Sequence, residues 1–127
     1  MILRFRLTGK VKPYVRMTQR GKWVKPDAIE YRASQKALSW QYKEQMKQNG
    51  WEMFPDRTPL GVRLIITVPA DLHRSDWDNI SKAVTDSAQG IVFRNDAWID
   101  EAHVVKRMGL EHVTEAIYYT LEKETAP

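Results

Sequence analysis

Four charged side chains between residues 76 and 86 have the types and spacing of a phosphodiester-cleaving site. Asp76 and Asp78 lie two residues apart, and Lys82 and Asp86 follow Asp78 at intervals of four. Residues four apart lie about 6 Å apart along a helix axis, so a helix here presents an acid, a base and an acid on one face. Carboxylate oxygens hold hard cations such as Mg²⁺, and a basic side chain offsets charge on a phosphate.

A purely structural interpretation fits the same residues. Asp76 and Asp78 can cap the start of a helix, and Lys82 can pair with Asp86 on its solvated surface. Two aspartates separated by one residue are common in proteins, so the spacing alone leaves both interpretations open.

A helix between about Asn79 and Gln89 is predicted to carry this face. Its small and apolar positions fall on a different face from that of Asp78, Lys82 and Asp86. The predicted buried positions are Ile80, Ala83, Val84, Ser87 and Ala88. A polar turn containing Asn95 and Asp96 follows the helix.

The remaining elements alternate between strands and helices. They are a strand at Ile2–Thr8, a long helix at Asp27–Asn49, a strand at Val62–Val68, a buried rung at Ile91–Phe93, and strands at Ala102–Leu110 and Val113–Glu122 joined as a hairpin by Glu111 and His112. The buried stripe of the long helix is predicted to be Ile29, Ala33, Ala37 and Trp40. This order predicts a two-layer α+β sandwich with helices packed on one face of a mixed β-sheet.

The predicted topology also brings charged residues together. The acidic helix follows a central strand, so its first turn and the polar turn at Asp96 are expected to meet at one edge of the sheet. Asp96 then completes a set with Asp76 and Asp78.

Length and composition narrow the classes of protein. The 127 residues are predicted to form a single domain, and the absence of cysteine excludes disulfides, thiolate zinc sites and a catalytic thiol. His73, His103 and His112 are too scattered to predict a zinc site. No signal peptide or long apolar run is present, so we expect a cytoplasmic protein with no membrane association.

A basic segment from Gly9 to Pro26 suggests an anionic partner. The net charge is +4 and the isoelectric point is near 9.4. Six basic residues in this segment are interleaved with Tyr14 and Trp23, which can stack on unpaired bases. A solvated loop is the alternative, but a connection this long in a small domain is often functional. The predicted DNA contacts are Lys12, Arg16, Arg20, Lys22 and, near the acidic helix, Arg74.

The motifs resemble those of the RusA-type Holliday junction resolvases of bacteria and their phages. The resemblance is close over roughly residues 60 to 110. It rests on Arg74-Ser-Asp-Trp-Asp-Asn-Ile-Ser-Lys82, on Asp86, on Val92-Phe93 and on Asn95-Asp-Ala-Trp-Ile-Asp-Glu101-Ala-His-Val104. The combination is specific because two aspartates, a lysine four residues later and a second acidic turn rarely occur together at these intervals.

The resemblance implies a role for each matching residue. Asp76, Asp78 and Asp96 are expected to bind Mg²⁺, and Lys82 is expected to be the essential basic residue. Asp86 matches a further acidic position of the helix.

Two positions near the second acidic turn have supporting roles by the same resemblance. Asn95 stands where the family usually has an aspartate, which removes a charge but keeps a carbonyl oxygen. Glu101 matches an acid often found after this turn, and is expected to hydrogen-bond Lys82 or a metal-bound water.

The implied function is Mg²⁺-dependent resolution of four-way DNA junctions by a homodimer, in recombination and repair. Trp98, Met108 and the terminal strands are candidates for the dimer surface, with core packing as the alternative for each. Two other functions stay open: a flap or fork nuclease that uses the same metal site, and a non-catalytic DNA-binding module in which the aspartates are helix caps.

Overall fold

The fold is a four-stranded sheet with two helices on one face. The computed structural model describes residues 1–13, 26–70 and 76–121, with backbone alone at residues 26 and 27. In chain order the elements are β1 (Ile2–Thr8), α1 (Pro26–Asn49), β2 (Leu60–Pro69), α2 (Trp77–Ala88), a 3₁₀ turn (Asp96–Trp98), β3 (Ile99–Gly109) and β4 (Val113–Thr120). The predicted α+β class and both predicted helices are confirmed.

The sheet is mixed, with the strand order β1-β4-β2-β3. β4 pairs antiparallel with both β1 and β2, whereas β2 and β3 are parallel and are connected through α2. The predicted hairpin between β3 and β4 is therefore wrong, because β2 lies between these two strands. The connection at Glu111 and His112 lacks the Gly or Asn that tight hairpin turns favour.

The helices cover the face of the sheet that carries the core. Leu3, Phe5 and Leu7 of β1 point to this side and are at most 2% exposed. The hydroxyl groups of Tyr42 in α1 and Tyr118 in β4 are 2.9 Å apart and share a hydrogen bond. Burial raises the pKa of both phenols, so both stay protonated at neutral pH. This buried pair fixes α1 on the sheet.

The buried face of α1 differs from the predicted one. Ile29 is 52% exposed and Trp40 is 63% exposed, and Ala33 and Ala37 are exposed as well. The buried residues are Ala28, Tyr31, Leu38, Tyr42 and Met46. Both sets have helical spacing, so the periodicity alone could not choose between them. The tyrosines decide the orientation, because their rings fill the core while Tyr42 also finds a hydrogen-bond partner there.

Two glutamines of α1 hold the edge strand β1. The side-chain amide of Gln45 accepts from the backbone N–H of Arg6 at 3.0 Å and donates to the carbonyl of Arg6 at 2.8 Å. Gln41 makes the same pair of bonds with Thr8, at 2.8 and 3.0 Å. These bonds satisfy backbone groups that an edge strand would otherwise leave open for pairing with another chain.

The opposite face of the sheet is open. On it, the ring of Tyr119 lies across Gly61 of the neighbouring strand, where an added Cβ would come within 2.4 Å of the ring. Arg4, Arg6 and Arg63 are exposed on this face. Within the described parts of the chain, no helix has the length and apolar character needed to cross a membrane.

Candidate functional site

Helix α2 begins with the cap that the sequence suggested. Asp76 is the N-cap residue; its Oδ1 accepts from the backbone N–H of Asp78 at 3.0 Å, and its Oδ2 accepts from the side-chain amide of Asn79 at 3.1 Å. A carboxylate has about four acceptor positions, so these two bonds leave room for a further contact. The capping role of Asp76 is therefore observed, and it does not exclude a second role.

Helix α2 has a buried face of small and apolar residues and a separate charged face, as the sequence predicted. The buried residues are Ile80, Ala83, Val84, Ser87 and Ala88. On the other face, Asp78 and Lys82 are exposed and Asp86 is partly buried. The charged face therefore lies on the side of α2 that points away from the core.

The carboxyl group of Asp86 in α2 is affected by burial and by two neighbouring charges. Burial raises the pKa of its carboxyl group, the Lys82 ammonium lowers it, and the charge of Asp96 raises it; the balance is a raised pKa. Asp96 acts on Asp86 because the turn after α2 returns to the last turns of that helix. Lys82 lies one helical turn before Asp86, and the charge of Asp96 acts on the same carboxyl group. From the sequence, Asp86 was predicted to have only a supporting role. Its position four residues after Lys82 was the signal that indicated a contact between the two side chains.

The segment that carries Asp96 is anchored on the end of α2. The backbone N–H groups of Ile91 and Val92 donate to the carbonyl of Ala88 at 3.0 and 2.9 Å. Val92 and Phe93 are 0% and 2% exposed, which agrees with the predicted buried rung. At the end of the segment, the backbone N–H of Asp96 donates to the side-chain oxygen of Gln89 at 3.3 Å. The position of Asp96 therefore depends on α2 and on this anchored segment.

Asn95 has a structural task in the same turn. It is the N-cap residue of the 3₁₀ turn, and its Oδ1 accepts from the backbone N–H of Ala97 at 2.9 Å. The carbonyl oxygen that the sequence left as a potential ligand therefore serves the turn that carries Asp96. An aspartate can make the same cap.

The donor set suits a hard cation in its chemistry. Asp76, Asp78, Asp86 and Asp96 supply carboxylate oxygens, the ligands that Mg²⁺ prefers. Within residues 1–13, 28–70 and 76–121, however, no three acidic or histidine side chains form a group that could hold a metal ion. Asp78 and Asp86 are two helical turns apart, about 12 Å along the axis, and Asp96 lies near Asp86. The fold therefore presents the predicted ligands along one surface rather than as a closed cage.

Glu101 lies on the other side of the sheet. Its Oε1 is 2.6 Å from Nε2 of His103. Glu101 also acts on the hydroxyl of Tyr119, whose pKa is raised by burial and by the Glu101 charge. Successive side chains of a strand point to opposite faces, and Glu101 of β3 shares the open face with Tyr119. The expected contact with Lys82 is replaced by these two partners.

The predicted DNA contacts are described only in part. Lys12 Nζ is 3.0 Å from Oε2 of Glu30 in α1, and its backbone N–H donates to Oγ of Ser34. Lys12 thus fastens the start of the basic segment to α1. The other four predicted contacts, Arg16, Arg20, Lys22 and Arg74, lie outside the described residues.

The candidates for a dimer surface differ in exposure. Met108 is 62% exposed, so core packing does not explain it, whereas Trp98 is partly buried. Leu110, beyond the end of β3, is 97% exposed.

The sequence matches one family of known proteins. Residues 5–117 match the family described as Endodeoxyribonuclease RusA. The matched region includes α2 and the turn that carries Asp96. A comparison with curated proteins finds no match to the chain.

Proposed function

The chain belongs to the RusA family of endodeoxyribonucleases, and we propose that it is a Mg²⁺-dependent enzyme that resolves four-way DNA junctions. In this proposal residues 1–127 form one endonuclease domain that acts as a homodimer in the cytoplasm, during DNA recombination and repair. The observation that supports the proposal most strongly is the charged face of α2, where Asp78 and Lys82 are exposed and Asp86 is partly buried one turn further on. Perturbed carboxyl groups beside a basic residue are typical of functional sites.

We propose that Asp76 and Asp78 at the start of α2 and Asp96 near its end hold one or two Mg²⁺ ions along this surface, rather than in a closed cage. The bound cation would supply Lewis-acid stabilisation of phosphate charge and a nucleophile generated from water at neutral pH. Asp78 is exposed in the first turn of α2, where the helix dipole favours a negative side chain. The cap bonds of Asp76 fix the orientation of its carboxylate before any ligand arrives.

Lys82 and Asp86 have a different role in the proposed reaction. The Lys82 ammonium is a compact charge that stabilises the additional negative charge on the phosphate or on the leaving oxygen in the transition state. Asp86, one turn further along, attracts this ammonium and so limits its movement. Lys82 and Asp86 are four residues apart on one face of α2, which places them one helical turn apart and supports this assignment.

The symmetry of the proposed substrate supports a homodimer. A four-way junction has approximate two-fold symmetry, so two equivalent active sites can cut opposing strands. A monomer would only nick the junction. Exposed apolar side chains such as Met108 and Leu110 are available for a contact between subunits.

A cleavage assay on three substrates tests the proposal. We expect the wild-type protein to cut a mobile four-way junction with Mg²⁺ and not without it, and to cut a flap and plain duplex much more slowly. Glu115→Gln, on the open face of the sheet, is the control for loss of one acidic charge and should cut like wild type. Preferred cleavage of the flap would identify a flap nuclease, and junction binding without cleavage at any Mg²⁺ concentration would identify a DNA-binding module.

A further inference from the structure

The outer face of α1 has the composition of a nucleic-acid surface rather than of an ordinary solvated helix. Trp40 is 63% exposed, and its neighbours one turn away on the same face, Ala37 and Lys36, do not cover it. Large aromatic side chains are usually well buried in a small domain. The exposed Trp40 side chain on this long helix therefore indicates a binding surface.

Basic residues flank this tryptophan along the helix. Arg32, Lys36, Trp40 and Lys43 follow one another at intervals of four, four and three, which places them in a single row about 16 Å long. Neither Lys36 nor Lys43 forms a salt bridge with another residue in the described part of the chain. Their charges are therefore available to an anionic ligand.

The row borders a groove between the two helices. The groove has a volume of about 510 Å³, and α2 contributes Asp86 and Ser87 to its wall. At its floor, Oγ of Ser39 donates to the backbone carbonyl of Ser87 at 2.8 Å and ties the helices together. Among the described residues that line this groove, Lys36 and Lys43 of α1 add two cations beside the Asp86 carboxylate of α2, and this balance of charge suits a phosphate backbone.

The groove is continuous with the candidate active site. Asp86 is shared between them, since it lines the groove and also lies close to the charges of Lys82 and Asp96. A strand that places a phosphate at Lys82 can therefore extend past Asp86 and along α1.

We propose that the groove between α1 and α2 binds an unpaired DNA strand next to the cleavage site, with Lys36 and Lys43 on phosphates and the Trp40 indole stacked on a base. An indole stacks on a base only if that base is free of its own neighbours, which is why the occupant is single-stranded. The inference rests on the proposed nuclease function, because it takes the strand to be an extension of the substrate.

The experiment measures binding, without divalent cations, of a short fluorescein-labelled oligothymidine and of a duplex by fluorescence anisotropy. Trp40→Ala should weaken oligothymidine binding about tenfold, since stacking on one base contributes about 1 to 3 kcal/mol. Trp40→Phe keeps an aromatic face and should retain most of the affinity. Duplex binding by Trp40→Ala should stay within about twofold of wild type, because paired bases offer it no free face.

The basic side chains are tested by the salt dependence of the same binding. Lys36→Gln/Lys43→Gln should reduce the slope of log K against log salt by about 1.4 on the single strand, from about 0.7 per lost phosphate contact. The matched control is Arg4→Gln/Arg6→Gln, which removes two cations from the open face of the sheet and should leave the slope unchanged. A thermal melt and sedimentation of each variant show that folding and subunit assembly are intact.

Three results would overturn the inference. The Trp40→Ala variant could bind oligothymidine within twofold of wild type, or it could lose duplex binding as strongly as oligothymidine binding. A change in the assembly of this variant would show that Trp40 is covered by a second copy of the chain. Failure of the proposed function gives a different result. A wild-type protein that does not cut junctions with Mg²⁺ refutes the nuclease assignment, whereas the effect of Trp40 on single-strand binding is read without any cleavage.

Discussion

The two ends of helix α2 hold their acidic residues in different ways. At the first turn, Asp76 accepts hydrogen bonds from Asp78 and Asn79, and this arrangement stabilises the start of the helix. At the last turns, Asp86 is partly buried next to another acid, Asp96, and its pKa is raised. Capping is a sufficient structural reason for the first arrangement. The burial of Asp86 beside Asp96 lowers the free energy of unfolding, and a function in the site explains why such an arrangement is kept.

The two ends of α2 can belong to one active site or act separately. If a single active site extends along α2, carboxylates at both ends of the helix must contribute to cleavage. If only one end is active, substitutions at the other end will affect stability alone. The predictions below separate these cases, in order of decreasing effect.

Asp78→Asn should lower cleavage of a four-way junction by at least about a thousandfold, which corresponds to about 4 kcal/mol in the barrier. The substitution removes a proposed metal ligand, and it should leave junction binding unchanged or tighter because one negative charge near the phosphates is lost. Single-turnover cleavage and a binding titration measure the two effects. Equal cleavage by the variant and wild type at saturating Mg²⁺ would contradict the ligand assignment.

Lys82→Ala should reduce single-turnover cleavage by a factor of about 100 to 1,000 with little change in folding, because the ammonium acts mainly in the transition state. Lys82→Arg should restore little, since a planar guanidinium does not replace a compact ammonium aimed at one oxygen. A lysine that merely pairs with acids on a wet surface would give a loss of well under about 1 kcal/mol in stability and an almost unchanged rate. Cleavage within about threefold of wild type would remove Lys82 from the site.

The sequence predicted α2 better than any other element, and the reason is local. Its apolar residues occupy one face only, so periodicity assigns Ile80 and Val84 to the core without ambiguity. In α1, Trp40 and Tyr42 belong to faces of similar apolar content, and the choice depends on the sheet that the helix meets. The pairing of β3 with β2 rather than with β4 is likewise set by distant parts of the chain.

The same distinction holds for the site. The charged face of α2 follows from the intervals between Asp78, Lys82 and Asp86. The approach of Asp96 to Asp86 depends on the buried anchor at Val92 and on the bond from Gln89, which no spacing reveals. Local periodicity thus predicted which residues share a face of α2. Tertiary contacts determined that Asp96 approaches the last turns of the helix rather than its first turn.

Asp76 offers a way to separate capping from ligation. Asp76→Ala removes the cap and should cost about 1 kcal/mol, a decrease in Tm of about 4 °C for a domain of this size. Asp76→Asn keeps an N-cap side chain and should melt close to wild type, yet it should lose cleavage activity because the carboxylate is gone. A thermal melt and a cleavage rate for each variant give the comparison. Full activity of Asp76→Asn would restrict Asp76 to capping.

Asp86→Asn should stabilise the protein at pH 7. Burial and the charge of Asp96 raise the pKa of Asp86 in the folded protein above its ordinary value of 3.8. The folded state therefore favours the protonated carboxyl group, and the protein loses stability as the pH rises from 3.8 to the raised pKa. The asparagine variant has no such loss. Its advantage in Tm should disappear below about pH 3.8, where the unfolded carboxyl group is also protonated. A lower Tm than wild type at pH 7 would show that the Lys82 attraction outweighs the burial.

The most direct test of a single site across α2 is a double-mutant cycle between Asp78 and Asp96. Single-turnover junction cleavage is measured for Asp78→Asn, Asp96→Asn and the double variant at saturating enzyme and Mg²⁺. Residues that act as one unit give grossly non-additive effects. We therefore predict that the double variant cuts within about threefold of the slower single variant. A double variant whose rate falls by the product of the two single effects would show that the two ends of α2 act independently, and would contradict the account.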